Sequence, residues 1–133
     1  MGSFDAIGIA GSGMTVYRTW LDAISDNLAN LNTVTSTDED AFRARYVVAE
    51  AVEYGDEGGT RVKGVEFGSA EGRLVYEPGH PLADAEGYVR YPDIDMASQM
   101  TQLIMAQRGY QANAAVVDRA KETYQAALQI GRS

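Results

Sequence analysis

The chain has 133 residues, no cysteine and a formal net charge of −8, which allows one domain of modest core and excludes disulfides and thiolate metal sites. With no basic patch, the acidic balance would repel phosphate and argues against nucleic acid as a partner. No run of 18 apolar residues occurs, so no segment is predicted to cross a membrane as a helix.

Met1 to Gly13 holds four glycines, Gly2, Gly8, Gly11 and Gly13. Each interior Gly costs about 1 kcal/mol relative to Ala in a helix, so the first turns are expected to be weak in the isolated chain. Two readings stay open: a frayed terminus, or a start ordered by close packing with neighbours, where small residues let backbones approach. The same residues lack the basic and apolar regions of a signal peptide. Export, if it occurs, is expected by a route without a cleaved signal.

From Ile7 the apolar residues step by three and four: Ile7, Ala10, Met14, Tyr17, Leu21, Ile24, Leu28, Leu31. This is the seam of a helix laid along a partner helix. Asp22, Ser25, Asp26, Asn27 and Asn30 fall off the seam and are expected to face water. Trp20, the only tryptophan, sits one place off it; a large aromatic there marks contact with another element. Asn27, Asn30 and Asn32 crowd the end of the pattern and predict a helix stop, because Asn favours capping and left-handed conformations. Thr33 to Asp40 reads as a polar loop.

The middle is β-forming. Arg43–Tyr54 reads as a strand rich in Val and Tyr, Tyr54–Thr60 as a glycine-rich turn, and Arg61–Phe67 as a half-exposed strand. Two short strands follow, Gly72–Tyr76 and Gly87–Tyr91, joined by a turn stiffened by Pro78, Gly79, His80 and Pro81. The His80–Pro81 bond is left open between cis and trans. Asp93 or Asp95 is expected to cap a second long helix. Its stripe runs Met96, Met100, Leu103, Gln107, Tyr110, Ala114, Val117, Lys121, Tyr124, Leu128, with Ala106 and Ala120 beside the polar Gln107 and Lys121 to widen it. Gly109 within it either bends the helix or admits a close neighbour.

The expected fold is therefore α+β: two long terminal helices in an antiparallel coiled-coil-like pair, with a small antiparallel β insertion. Residues 1–34 and 92–133 would form one discontinuous helical domain, and residues 35–91 a small β-rich one. Charge follows the same division, at −2 over residues 1–34, −8 over 35–95 and +2 over 96–133. The two stripes, with Trp20, Tyr110, Tyr124 and the methionines, carry more apolar surface than one partner helix covers. Self-association or co-assembly is preferred over a monomeric hairpin.

Catalytic signals are poor. His80 is the only histidine, near Asp84, Glu86 and Asp93, and a small metal-binding or enzymatic module could be drawn there. The plainer reading is a turn histidine making a local hydrogen bond. Asp38-Glu39-Asp40 lacks the spacing of an EF-hand and reads as a solvated acidic loop. No catalytic residue, metal site, cofactor or small-molecule substrate is expected.

Ile9-Ala10-Gly11-Ser12-Gly13-Met14, with the block Leu21-Asp22-Ala23-Ile24-Ser25-Asp26-Asn27-Leu28-Ala29-Asn30-Leu31-Asn32-Thr33, resembles the N-terminal signature of bacterial flagellar rod and hook proteins. Tyr76-Glu77-Pro78-Gly79-His80-Pro81, Ala83-Asp84, Gly87-Tyr88-Val89 and Pro92 are similar to a block of the proximal-rod members. So are Arg108-Gly109-Tyr110-Gln111-Ala112-Asn113 and Ala127-Leu128-Gln129-Ile130-Gly131. Three sites depart from the pattern: Trp20 is bulkier, Gly109 stands where Ser is usual, and Met14 replaces Leu. The resemblance implies a structural subunit of the flagellar basal-body rod, which assembles helically in the periplasm and transmits torque from motor to hook. It also implies passage through the flagellar export apparatus, with partners in copies of itself, other rod proteins, and the adaptor and ring at the membrane. Ile7, Met14, Tyr17, Trp20, Leu21, Ile24, Leu28, Leu31, Met100, Leu103, Tyr110, Val117, Tyr124 and Leu128 would then form intra- and intersubunit contacts. Asn27, Asn30 and Asn32 would set the exit from the first helix, and Pro78, Gly79, His80 and Pro81 the turn back to the second.

Overall fold

A computed structural model describes residues 3–54 and 57–132. Met1 and Gly2 of the glycine-rich start, Gly55 and Asp56 of the expected turn, and Ser133 lie outside the described residues. The order of elements is α1 (Ser3–Ala29), β1 (Arg45–Tyr54), β2 (Glu57–Phe67), β3 (Arg73–Tyr76), β4 (Tyr88–Tyr91) and α2 (Met96–Arg132). The fold is the expected one: two long helices enclosing a small antiparallel β insertion.

α1 and α2 have 27 and 37 residues, roughly 40 and 55 Å of helix. They run antiparallel, and a series of close pairs sets their register. A Cβ on Gly13 would lie 2.6 Å from Asn113 Nδ2, and one on Gly109 2.3 Å from the Tyr17 ring. Phe4 meets Tyr124 edge-on, with ring centroids 5.0 Å apart. Gly109 therefore admits a close neighbour, and α2 continues unbroken through it. Asp95 is the N-cap of α2: its Oδ2 accepts from Ser98 N at 3.2 Å and its carbonyl from Gln99 N at 3.1 Å.

α1 ends at Ala29, as the Asn-rich tail predicts, but for a different reason. No non-glycine residue among those described has a positive φ, so no left-handed Asn stops the helix. Asn30 folds its own carboxamide back, Nδ2 donating to Asp26 O at 2.9 Å, and its Oδ1 accepts from Thr33 Oγ1 at 3.2 Å. The side chain competes for the backbone and closes the turn.

β1 and β2 pair antiparallel, with a bulge between Val48 and Ala49 that leaves Lys63 unpaired on β2. β2 begins at Glu57, so Gly58, Gly59 and Thr60 belong to a strand and not to the turn expected of them. This hairpin lies along α1. Ser12 Oγ accepts from Thr60 N at 3.1 Å and donates to Ile9 O at 2.7 Å. β3 and β4 form a separate two-stranded sheet, and Thr35 bridges to Arg90 of β4 through paired backbone bonds of 2.9 Å. The core is small and built from Ala10, Ala23, Ile24, Ala41, Ala44, Val89, Ile94 and Ala106. Five of those eight are alanines, so the elements approach closely and little large apolar surface is hidden.

Candidate assembly interface

Along α1 the inward face takes in the seam positions together with Ala23 and Asn27, which lie off it. Ala10 and Ile24 are buried, and Ile7, Met14, Tyr17, Leu21, Leu28 and Leu31 are half-buried. The second helix is rotated from its predicted phase. Leu103, Tyr110 and Val117 are half-buried, and Ala106 and Ala120, which widen the stripe, are buried and half-buried; the positions added are Gln99 and Asn113, one residue before Met100 and Ala114. The cause is steric and polar together. Ala106, Gly109 and Asn113 let the backbones approach, and Gln99 finds a buried partner on α1.

That rotation leaves apolar side chains exposed. Met96, Met100 and Ile104 lie on one flank of α2, and Met105 and Val116 on the other. Beyond the Phe4–Tyr124 contact, α2 runs on past the described end of α1. Every residue from Lys121 to Arg132 is exposed, with Leu128 at 47% and Ile130 at 76%. Among the described residues the interface candidates thus separate into two groups. Ile24, Leu21, Leu103, Tyr110 and Val117 are buried or half-buried in the chain's own fold, whereas Met100, Tyr124 and Leu128 are exposed, at 40%, 41% and 47%.

Asn27 was expected to face water, and the structure corrects this. It is 1% exposed. Arg45 N donates to Asn27 Oδ1 at 2.8 Å, and Asn27 Nδ2 donates to Arg45 O at 3.0 Å and to Gln99 Oε1 at 3.1 Å. One carboxamide thereby joins α1, the start of β1 and α2. Gln99, 2% exposed, is its buried counterpart. Asp26 adds an exposed ion pair to Arg45 at 2.8 Å, of small energetic weight in solvent. Asn32 is exposed, beside Leu31 and Ile94 where the chain enters α2.

Trp20 lies where its position suggests, against other elements. Its ring stacks on Tyr17 at 6.1 Å, and its Nε1 donates to Gln102 Oε1 at 3.3 Å. Both rings line an open groove of about 450 Å³ between α1 and the β1–β2 hairpin, with Ile9, Val16, Val47 and Ala49 along its walls. The wall is mainly apolar, and its residues are half-buried or exposed.

The return to α2 is a knot of local hydrogen bonds. His80 Nδ1 accepts from Leu82 N at 3.0 Å, the local bond expected of a turn histidine, and His80 N donates to Glu77 O at 3.0 Å. No peptide bond among the described residues is cis. Asp84 Oδ1 accepts from Tyr88 N and Glu86 N, each at 2.9 Å, and its Oδ2 from Thr37 Oγ1 at 3.0 Å. The Tyr88 amide above all, with Thr37 and the Glu86 and Gly87 amides, holds this carboxyl below the usual aspartate range against the opposing effect of burial. Gly87 has φ +92°, where any Cβ would also strike the Tyr76 ring at 2.7 Å. The Tyr91 hydroxyl donates to Glu77 Oε1 at 2.8 Å, which raises its pKa. Arg90 donates from Nη2 to Thr37 O at 2.7 Å and from Nη1 to Glu71 O. No group of three or more His, Cys, Asp or Glu residues suited to a metal ion occurs among the described residues.

Gln99 and Arg90 had no signal in the sequence: a lone Gln on a polar-looking helix face and an Arg in a strand read as solvent-facing. Asp84 stood inside a quoted motif, and only its role was unassigned.

Comparison with known proteins agrees with this architecture. The family described as flagellar basal body rod FlgEFG protein C-terminal matches residues 85–130. Over 134 aligned residues the chain is 39% identical to the flagellar basal-body rod protein FlgC of Yersinia enterocolitica and 38% identical to that of an Escherichia coli O6:H1 strain. Each alignment covers 99% of this chain and 100% of the relative. It is 33% identical to the FlgC of Borreliella burgdorferi, over 98% of both chains.

Proposed function

Because this chain belongs to the FlgC family of flagellar basal-body rod proteins, we propose that it is built into the proximal rod, with its two helices packed among those of neighbouring subunits. It is a structural subunit of the basal-body rod, and its neighbours are other rod and basal-body components. In this reading the exposed flanks of α2 and the half-covered seam of α1 are contacts with copies of itself and with other rod proteins. The adaptor and ring at the membrane, and the export apparatus that would deliver the chain, are the remaining proposed partners.

The observation that carries the reading is the apolar surface left over once the two helices have paired. Met96, Met100, Ile104, Met105, Val116, Leu128 and Ile130 are all exposed along one 37-residue helix. So many exposed apolar side chains, on both flanks and at the end of one helix, mark interaction surfaces. Torque along a shaft is resisted by many buried contacts, and a long helix shared among several neighbours supplies them. The task proposed is mechanical and not catalytic: His80 is engaged with Leu82 N, and Asp84 is engaged with backbone amides.

The test is localisation. Basal bodies isolated from a strain carrying a tagged copy should contain the chain in the rod, between membrane ring and hook. A tagged chain that complements motility yet is absent from the rod would remove the proposal.

A further inference from the structure

The side of α2 turned away from α1 has a pattern of its own. Stepping by three and four from Met105 gives Arg108, Ala112, Val116 and Arg119, all exposed and all on one stripe. The two acidic residues of α2, Asp118 and Glu122, project from other sides of the helix. The stripe is therefore apolar with two cations roughly 16 Å apart, at 1.5 Å per residue. A second surface is the outer face of the β3–β4 sheet. The pairs Leu74–Arg90 and Tyr76–Tyr88 set these four side chains on one face, opposite buried Val89. Leu74, Tyr76 and Tyr88 are exposed, and the two rings meet edge-on at 5.4 Å. Arg90 is drawn away from the rings, held by the carbonyls of Thr37 and Glu71. The border of this patch is acidic. Asp84 accepts from the Tyr88 amide, Glu86 is exposed two residues before Tyr88, and Thr37, bonded to Asp84, is followed by exposed Asp38.

We propose that the Met105–Arg119 stripe of α2 from one copy of this chain lies on the Leu74–Tyr76–Tyr88 face of the next copy. Met105, Ala112 and Val116 meet the leucine and the two rings. Arg108 and Arg119 lay their stems along that apolar surface and bring their charges to the carboxylates at its border or over a tyrosine ring. Two observations select a second copy as the occupant. Among the described residues neither β3 nor β4 touches α2 of the same chain, so the two surfaces meet only between chains. The charges local to the patches are also opposite. The stripe has two arginines and no carboxylate, whereas the tyrosine patch has Asp38, Asp84 and Glu86 against the one withdrawn arginine. Stripe on stripe and sheet on sheet repel, and stripe on sheet attracts. The contact joins two different patches, so it is heterologous, and a heterologous contact that does not close extends as a helix. It rests on the rod-subunit reading, for which it names one pair of mating surfaces.

The chain has no cysteine, so two introduced thiols report on this contact alone. Leu74→Cys and Ala112→Cys replace exposed residues; they are combined in one chain, and basal bodies from the resulting cells are oxidised. Within a chain the two Cα atoms are more than 8 Å apart, and a disulfide does not bridge more than about 7 Å, so any bond joins two copies. The expected result is a ladder of dimers and higher oligomers without reductant, and none from either single variant. Basal bodies that contain the double variant but yield no ladder overturn the proposal. If the double variant does not enter the rod, a photoreactive benzoylphenylalanine placed at Leu74 alone gives the second readout. Adducts to residues 101–119 of another copy support the proposal. Adducts only to other proteins or other segments, or exclusion of this chain too from rods that accept the unaltered protein, overturn it. Absence of the unaltered chain from the basal body is a separate outcome and sinks the rod reading itself.

Discussion

Asn27 lies 1% exposed, and its carboxamide satisfies both backbone groups of Arg45 as well as Gln99. Asn27→Ala would remove the partner of buried Gln99 and of the part-buried Arg45 backbone groups, at a cost of about 1–3 kcal/mol. Urea denaturation should show it as a lower midpoint with an unchanged slope. Gly109 makes the opposite kind of argument. Ala is the better helix former by about 1 kcal/mol, yet a Cβ there would meet the Tyr17 ring at 2.3 Å, and overpacking costs about 1–3 kcal/mol. Gly109→Ala is expected to destabilise the native chain and to stabilise it in a Tyr17→Ala background. A thermal double-mutant cycle reads the reversal. Asp84 gives the pH dependence. Its folded pKa lies below the ordinary value near 3.8, chiefly because of the Tyr88 amide. The stability it contributes is complete above that value and is lost as pH falls through the folded pKa. Asp84→Asn should therefore flatten the fall in stability below about pH 4 in an acid titration followed by circular dichroism.

At the scale of elements, the first helix was legible and the second only in part. α1 has a seam of consistent period, and Ile24 at 1% exposure sits at its centre. α2 has apolar residues on more than one side, so periodicity alone could not say which side meets α1. Close approach at Ala106 and Gly109 and the Gln99–Asn27 bond decided it, and neither is a hydrophobicity signal. The difference separates two kinds of mutation. Ile24→Asp buries an unpaired charge and should unfold the chain. Leu128→Asp touches only an exposed site and should leave stability within about 0.5 kcal/mol. It should nevertheless abolish motility in a swarm assay, because the surface it changes is the one proposed to meet another subunit. Normal swarming of Leu128→Asp would remove that surface from the interface.

At the scale of the whole molecule, α2 is longer than its partner by its exposed last turns, and a helix end without tertiary support is marginal in water. Amides of residues 121–132 are expected to exchange within seconds in the dilute chain and to be protected in the assembled rod. Equal protection in both would mean that this end orders without assembly. The sequence by itself determined the two terminal helices, the β insertion and the likeness to rod proteins, because period, turn residues and motif spacing are local and survive without coordinates. Only the tertiary structure decided which face of α2 is inside, that Asn27 is buried, that the hairpin lies along α1 and that a groove opens beside Trp20. Each of these depends on residues far apart in the chain meeting at close range, where a missing Cβ or one carboxamide outweighs the average hydrophobicity of a face.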